Sequence, residues 1–195
     1  MFTVVSYLIT SYVLKEHFMI RRNIVSIGLI VFALNFALSN AVQAEVKTVK
    51  AMATWQLQGL LTQVGKDKAV LVGALAGVMF MEEGGGKLDA SALLCPGTVE
   101  VDLVTGKRNG SGRCVITDQE GDQIYAAWSC RGGNRGCKGP FQLNGGTGKF
   151  LGISGKSTCI LRIAMRALGA EVAKDSFQQV AAGLAIWPKF TYNIP

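Results

Sequence analysis

Gly145-Gly146-Thr147-Gly148-Lys149-Phe150-Leu151-Gly152-Ile153-Ser154-Gly155 reads as a tight turn that runs into a strand. Glycine admits the positive φ of the turn. The glycines that recur beyond it mark bends or bulges, which a sheet needs where it curls on itself. Gly145, Gly146, Gly148, Phe150, Gly152 and Gly155 therefore form a motif of fold, not of chemistry.

The sequence on either side agrees with a sheet. Val49, Ala51, Ala53, Trp55 and Leu57 alternate with Lys50, Met52, Thr54, Gln56 and Gln58, and Val99, Val101 and Leu103 alternate with Thr98, Glu100 and Asp102. That period of two predicts strands with one face on a core. Turn signals follow at Gly84–Gly86, Gly106–Gly112, Asp118–Asp122, Gly132–Gly136 and Gly145–Gly148. Strands between such closely spaced turns predict antiparallel hairpins, hence an all-β sandwich or barrel.

Ala69–Met81 is apolar on both faces, so it fits either a strand buried on both sides or a core helix, the helix being weakened by Gly73 and Gly77. As a barrel strand it needs its outward side covered, by a second subunit or a packed helix. The expectation is a homo-oligomer. Ala164–Phe177, with loose helical spacing, is a candidate cover, and a strand follows around Val180–Trp187.

Upstream of the sheet, Met19 to Ala44 has the layout of a cleavable export signal. Arg21 and Arg22 precede an apolar run, Ile24–Leu38, and Ala41-Val42-Gln43-Ala44 offers small residues to a signal peptidase. The apolar run has fifteen residues, short of the roughly 20 that a spanning helix needs. The domain plan is thus a non-native extension over 1–18, a signal peptide over 19–44 and one domain over 45–195. The product is exported, periplasmic or secreted from a bacterium, with no stable membrane span after cleavage.

Cleavage leaves 151 residues with all five cysteines and no histidine, since His17 lies upstream. In an exported chain the cysteines read as a disulfide framework with one thiol left over. A hairpin closed by Arg131–Gly136 puts Cys130 and Cys137 on facing strands and on one apolar face, which predicts a Cys130–Cys137 bridge. The pairing among Cys95, Cys114 and Cys159 stays open.

The missing histidine removes Ser-His and Cys-His dyads and His-ligated metals, and no CxxC pair exists. No metal site and no cofactor is expected. Gly155-Lys156-Ser157 is not a phosphate loop, because Phe150 stands where its first glycine belongs. Asp118-Gln119-Glu120-Gly121-Asp122 spaces its carboxylates like a calcium loop, but reads better as an acidic hairpin turn. The 107–166 segment holds ten basic and three acidic residues. It could draw acidic glycans or simply form a solvated face, and it lacks the interleaved aromatics of a nucleic-acid platform. No nucleic-acid partner is expected. Trp55, Tyr125, Trp128 and Phe141 are candidates to line a ligand cavity, with plain core packing as the other reading.

The GGTGxFxGxxG run of 145–155 resembles the signature of the allene oxide cyclase and dirigent-protein barrels and of exported bacterial proteins similar to them. The segment Cys114–Asp122 resembles those bacterial relatives too, so the likeness spans Gly112–Gly155. It implies an eight-stranded antiparallel barrel, trimeric, with an apolar interior that can hold one small ligand. The shared motif carries no catalytic residue. The leading expectation is an exported, non-catalytic barrel that binds a small apolar molecule or serves as an oligomeric interaction module. The alternatives are a cyclase or isomerase acting on a small hydrophobic substrate, and adhesion to acidic glycans.

Overall fold

Eight strands run in chain order and close on themselves, every neighbour antiparallel. They are β1 (Glu45–Gly65), β2 (Lys68–Met81), β3 (Ser91–Asp102), β4 (Arg108–Thr117), β5 (Gln123–Gly133), β6 (Gly136–Gly146), β7 (Ser154–Ala173) and β8 (Ser176–Ile194). The protein is described here by a computed structural model that covers residues 45–195, and for residues 45 and 165–171 the backbone alone. The expected extension (1–18) and signal peptide (19–44) lie outside the described residues. Among the described residues no helix is long and apolar enough to cross a membrane.

Period-two alternation places one set of side chains in the lumen. Ala51, Ala53 and Trp55 of β1, Leu71 and Met79 of β2, Leu93 and Cys95 of β3, Ile116 of β4, Ala126 of β5 and Leu143 of β6 are all buried. The other face is mixed: Lys50, Gln56 and Gln58 of β1 are exposed on it, and so are apolar groups such as Met52, Val72, Phe80, Leu94 and Leu184. Small residues recur beside large ones because eight strands enclose too little width for bulk at every position. Trp55 shows this directly: its register partners are Gly77 on β2 and Gly183 on β8.

The end of the barrel formed by the β2–β3, β4–β5 and β6–β7 connections is packed solid. Leu88, Phe150 and Ile153 come from those connections and are almost fully buried over Met79, Trp187 and Phe190. Phe141 and Trp187 meet edge to face at 5.3 Å between centroids, Trp187 and Phe190 at 6.0 Å. Contacts of this geometry add about 0.5–1.5 kcal/mol each beyond the area they bury.

The glycine-rich motif makes this plug. Relative to β5, β6 carries one extra residue between the pairs Ile124–Gly146 and Ala126–Leu143, the bulge expected from its glycines. A short 3-10 turn, Gly148–Phe150, then drives Phe150 inward. Gly148 has φ +49, and a Cβ there would overlap the Asp122 carboxylate. The Asp122 carboxylate also accepts the Lys149 N–H at 3.2 Å, so the turn is tied to the β4–β5 connection.

Three expectations are corrected by the structure. Ala164–Phe177 is not a helix but the end of β7, a two-residue turn at 174–175 with Asp175 at φ +59, and the start of β8. A loose helical spacing in a stretch rich in small residues gave way to hydrogen bonding along β8. Gly110 and Gly112 belong to β4, not to a turn. Cys130 and Cys137 are bridged, yet they are not directly opposed: Cys137 faces Gly132, and the bridge runs diagonally with Cα atoms 5.5 Å apart. Gly132 has no side chain to stand in its way.

Gly148→Ala is expected to lower stability by about 1–3 kcal/mol, from the left-handed backbone and displacement of Asp122. Gly85→Ala, at a site with open space around it, is expected to stay within about 0.5 kcal/mol. Urea denaturation of both variants checks the contrast.

Candidate functional site

The opposite end of the barrel is less completely filled. Leu57, Leu75, Val99, Leu161 and Ile163 point inward, yet each remains partly exposed. Inside a closed barrel, a lumen-facing side chain meets solvent only if the lumen is open. These residues, together with Leu71, line a cavity of about 70 Å³ whose wall also holds Trp55, Trp128, Arg108, Gln179 and the Cys130–Cys137 bridge. A second, deeper chamber of about 40 Å³ is bounded by Leu93, Phe141, Trp187, Cys159 and the Cys95–Cys114 bridge. Trp55 and Trp128 border both chambers. At roughly 10–15 Å³ per water, each chamber admits only a few small groups.

The position of Trp128 is prepared by absent side chains. A Cβ at Gly97, Gly110 or Gly112 would strike its indole ring. Three glycines on β3 and β4 thus leave a bare backbone shelf on which the ring lies. Trp55 lies in the same way against Gly183.

Polarity in the lumen is one-sided. The indole Nε1 groups of Trp55, Trp128 and Trp187 are buried and have no hydrogen-bond partner among the described residues. Each such donor costs about 1–3 kcal/mol, and native proteins keep few of them. Arg108 contributes to the wall of the upper chamber, and its Nη2 donates to Asn134 Oδ1 at 3.4 Å. Among the described residues, no carboxylate lines either chamber. Glu100 is exposed, and Asp102 closes the β3–β4 turn by accepting the N–H groups of Thr105 (2.7 Å) and Val104 (3.1 Å). Those bonds, Thr105 first, hold its carboxyl below the usual range.

Of the four candidate lining residues, Trp55 and Trp128 border both chambers and Phe141 borders the deeper one. Tyr125 does not. It is 41% exposed, and its hydroxyl donates to Gln123 Oε1 at 3.0 Å on the outer face. The correction follows from the pleat: Ile124 and Ala126 point inward, so Tyr125 between them must point out. Sequence reading missed Arg108, Gln179 and Leu161, because a polar residue at a barrel mouth has no sequence signature.

Cys95 pairs with Cys114 across β3 and β4, and Cys159 is the free thiol among the described cysteines. Burial pushes the Cys159 thiol up to about 12, against a small opposing effect of the Ile186 backbone. The thiol is therefore neutral and poorly nucleophilic at ordinary pH.

Outside the lumen, the Asp118 carboxylate accepts N–H groups from Glu120 and Asp122, both at 2.9 Å, which makes the acidic segment a side-chain-stabilised turn. Asp118, Glu120 and Asp122 bring carboxylate oxygens within 4.8 Å of one another. Lys149 Nζ pairs with Asp118 and, at 2.8 Å, with Glu120. The Asp118 carboxyl is held down chiefly by Lys149, and Lys149 is pushed up to about 12 chiefly by Asp118. A shallow outer groove at Pro188–Lys189 gathers Lys138, Lys156 and Lys189.

The fold and site define a small antiparallel barrel with a partly open apolar lumen. Comparison of the chain with family models and with curated proteins found no match.

Two outcomes follow from these ionisations. Cys159 is expected to resist a maleimide at pH 8 in the native protein and to take up one equivalent after denaturation, read by intact mass. Because its folded pKa exceeds the unfolded value near 9, the folded state holds the proton longer, and stability is expected to fall as pH rises from about 9 towards 12. Asp118 has the opposite sense: its contribution is full above the unfolded value near 3.9 and is lost as pH falls below it. In Lys149→Met the Asp118 carboxyl is expected to titrate at higher pH than in the wild type, measured by NMR.

Proposed function

We propose that this protein is an exported barrel that binds a small, mainly apolar molecule in its lumen. The observation that carries the reading is the row of inward-facing residues (Leu57, Leu75, Val99, Leu161 and Ile163) that stay partly exposed around a cavity. A barrel that served as a scaffold alone gains by filling this space, since each buried aliphatic side chain contributes about 1.5–3 kcal/mol. Here one end is packed with aromatics and the other is left open, over a wall that holds both Trp55 and Trp128. Ligand sites are commonly of this kind: concave, apolar and equipped with a few polar groups.

Export is supported by the two disulfides, which persist in oxidising compartments. The eight-stranded topology and the bulge at Gly145 support a relationship to the allene oxide cyclase and dirigent-like barrels. A cyclase or isomerase would need an acid or base in the lumen, and among the described residues neither chamber is lined by a carboxylate or a readily ionised thiol.

Self-association is the second role we propose, on a separate observation. The outer face of β2 and the adjoining part of β3 carry a run of exposed apolar side chains: Val72 is 57% exposed, Phe80 42%, and Leu94 of β3 beside them 50%. Covering this face with a second copy of the chain removes it from water, and a trimer is the assembly that the family resemblance implies. Basic groups in the Lys138–Lys156–Lys189 groove favour acidic glycans less strongly, since exposed lysines are commonly just solvated.

Native mass spectrometry of the protein purified from an oxidising compartment tests both roles. A small-molecule mass above that of the subunits is expected, and Val99→Phe, which fills the upper chamber, is expected to abolish it. An unloaded mass, with no change in tryptophan emission on adding small apolar compounds, overturns the ligand reading. Val72→Lys and Val78→Lys are expected to turn the oligomer into a folded monomer. A wild-type protein that is monomeric at tens of micromolar overturns the assembly reading.

A further inference from the structure

We infer that the outer face of β5–β8 is a docking surface for an acidic polysaccharide, held by exposed lysine and arginine side chains. The inference concerns the outside of the wall and does not rest on the lumen-binding reading.

The sequence from Gln123 to Ala170 contains no aspartate or glutamate, and β8 contains none either. These strands are consecutive neighbours, so they form one continuous stretch of wall. Its single acidic strand residue is Glu171, close to the end of β7. On the same strands Arg131, Lys138, Lys156, Arg162 and Lys189 are exposed. The pleat turns them outward: Leu161 and Ile163 line the lumen, for example, so Arg162 between them faces solvent. Lysines elsewhere have acidic partners, Lys50 with Glu82 and Lys149 with Asp118 and Glu120. The five cations of this face form no ion pair among the described residues.

Three lysines in a shallow groove are by themselves an ordinary solvated surface. Register makes this face different. Arg131 stands directly opposite Lys138, an arrangement of like charges that destabilises a sheet. Lys156 is opposed by Gln142 and not by a carboxylate. The bulge of β8 exposes both Pro188 and Lys189, and Lys189 joins Lys138 and Lys156 around one groove. A surface that serves solubility alone does best with both signs interspersed. Here one sign is gathered, and an anionic partner relieves the repulsion.

The class of polyanion follows from what stands between the cations. Thr158 and Thr191 line the groove and Gln142 lies beside it, offering the donors and acceptors that sugar hydroxyls need. Among the described residues no aromatic side chain lines the groove, whereas the bases of a single-stranded nucleic acid need aromatic platforms. A barrel wall is convex, so a planar anionic bilayer meets only a narrow strip of it. A flexible chain can follow the wall across strands about 4.8 Å apart. In the closed ring β6 lies opposite β2, so this face is across the barrel from the apolar β2–β3 patch. A copy docked on that patch leaves the basic face free, and several such faces engage one long polymer with added avidity.

The test is fluorescence anisotropy of labelled alginate, a polymer of uronic acids, titrated with the full protein at low and at high salt. Dextran is the neutral counterpart and duplex DNA the competing polyanion. Alginate is expected to bind, more tightly than DNA and more weakly as salt rises, while dextran does not bind. The triple variant Lys138→Gln, Lys156→Gln and Lys189→Gln is expected to lose about tenfold or more in alginate affinity. A second triple, Lys66→Gln, Lys87→Gln and Lys107→Gln, removes the same charge from exposed positions outside this face. It is expected to stay within about twofold of the wild type.

Equal losses in the two triples would show attraction to net charge and overturn the inference. DNA binding as tight as alginate binding would overturn the choice of polysaccharide, and no alginate binding at low salt would overturn the whole. The comparison of three polymers on the wild-type protein needs no variant, so a folding defect in either triple does not rescue the proposal. None of these outcomes bears on lumen binding, which fails or stands on its own test.

Discussion

Closing eight strands around one lumen sets the limit on everything else in this protein. Closure removes every free sheet edge, and it leaves a narrow interior whose volume must be shared among inward-facing side chains. Three tryptophans enter that space. They fit because neighbouring strands give up their own side chains: Gly97, Gly110 and Gly112 beneath Trp128, and Gly77 and Gly183 on either side of Trp55. Glycines that read as punctuation along the chain act across the strands as an absence of bulk.

The same limit divides the barrel into two unlike halves. A bulge in β8 at 188–189 lets Trp187 and Phe190, three residues apart, both point inward, and with Phe141, Phe150 and Leu88 they pack one end. The other half has aliphatic walls and no such filling. Here polar chemistry becomes decisive. Apolar walls make an unpaired indole N–H costly, so the three buried donors are the features for which packing by itself provides no explanation.

The bridges Cys95–Cys114 and Cys130–Cys137 tie neighbouring strands on either side of the shelf that holds Trp128. They cross-link β3 to β4 and β5 to β6, where glycine leaves the strands with few side-chain contacts of their own. Cross-links compensate for that thin packing, chiefly by restricting the unfolded chain. Cys159, in the same lumen, is half-buried and its thiol is held protonated, so it serves as an apolar wall group and not as a reagent.

Much of this was legible in the chain. Alternation over Val49–Leu57 and Val99–Leu103, with the turn signals between strands, determined an all-β fold, because side-chain period is a local property of the backbone. The Gly145–Gly155 run announced its bulge, and the hairpin at 131–136 announced the Cys130–Cys137 bridge. Even the outward direction of Tyr125 was implicit in the pleat. What the tertiary structure alone decided depends on register across strands. Register made Cys95 the partner of Cys114, set the Cys130–Cys137 bridge on a diagonal and drew 164–173 into a strand. It also gathered Arg108, Trp55 and Trp128, which lie on three different strands, around one cavity. Local sequence states which face a residue takes; which residues then meet is fixed only when the sheet closes and distant strands must share one interior.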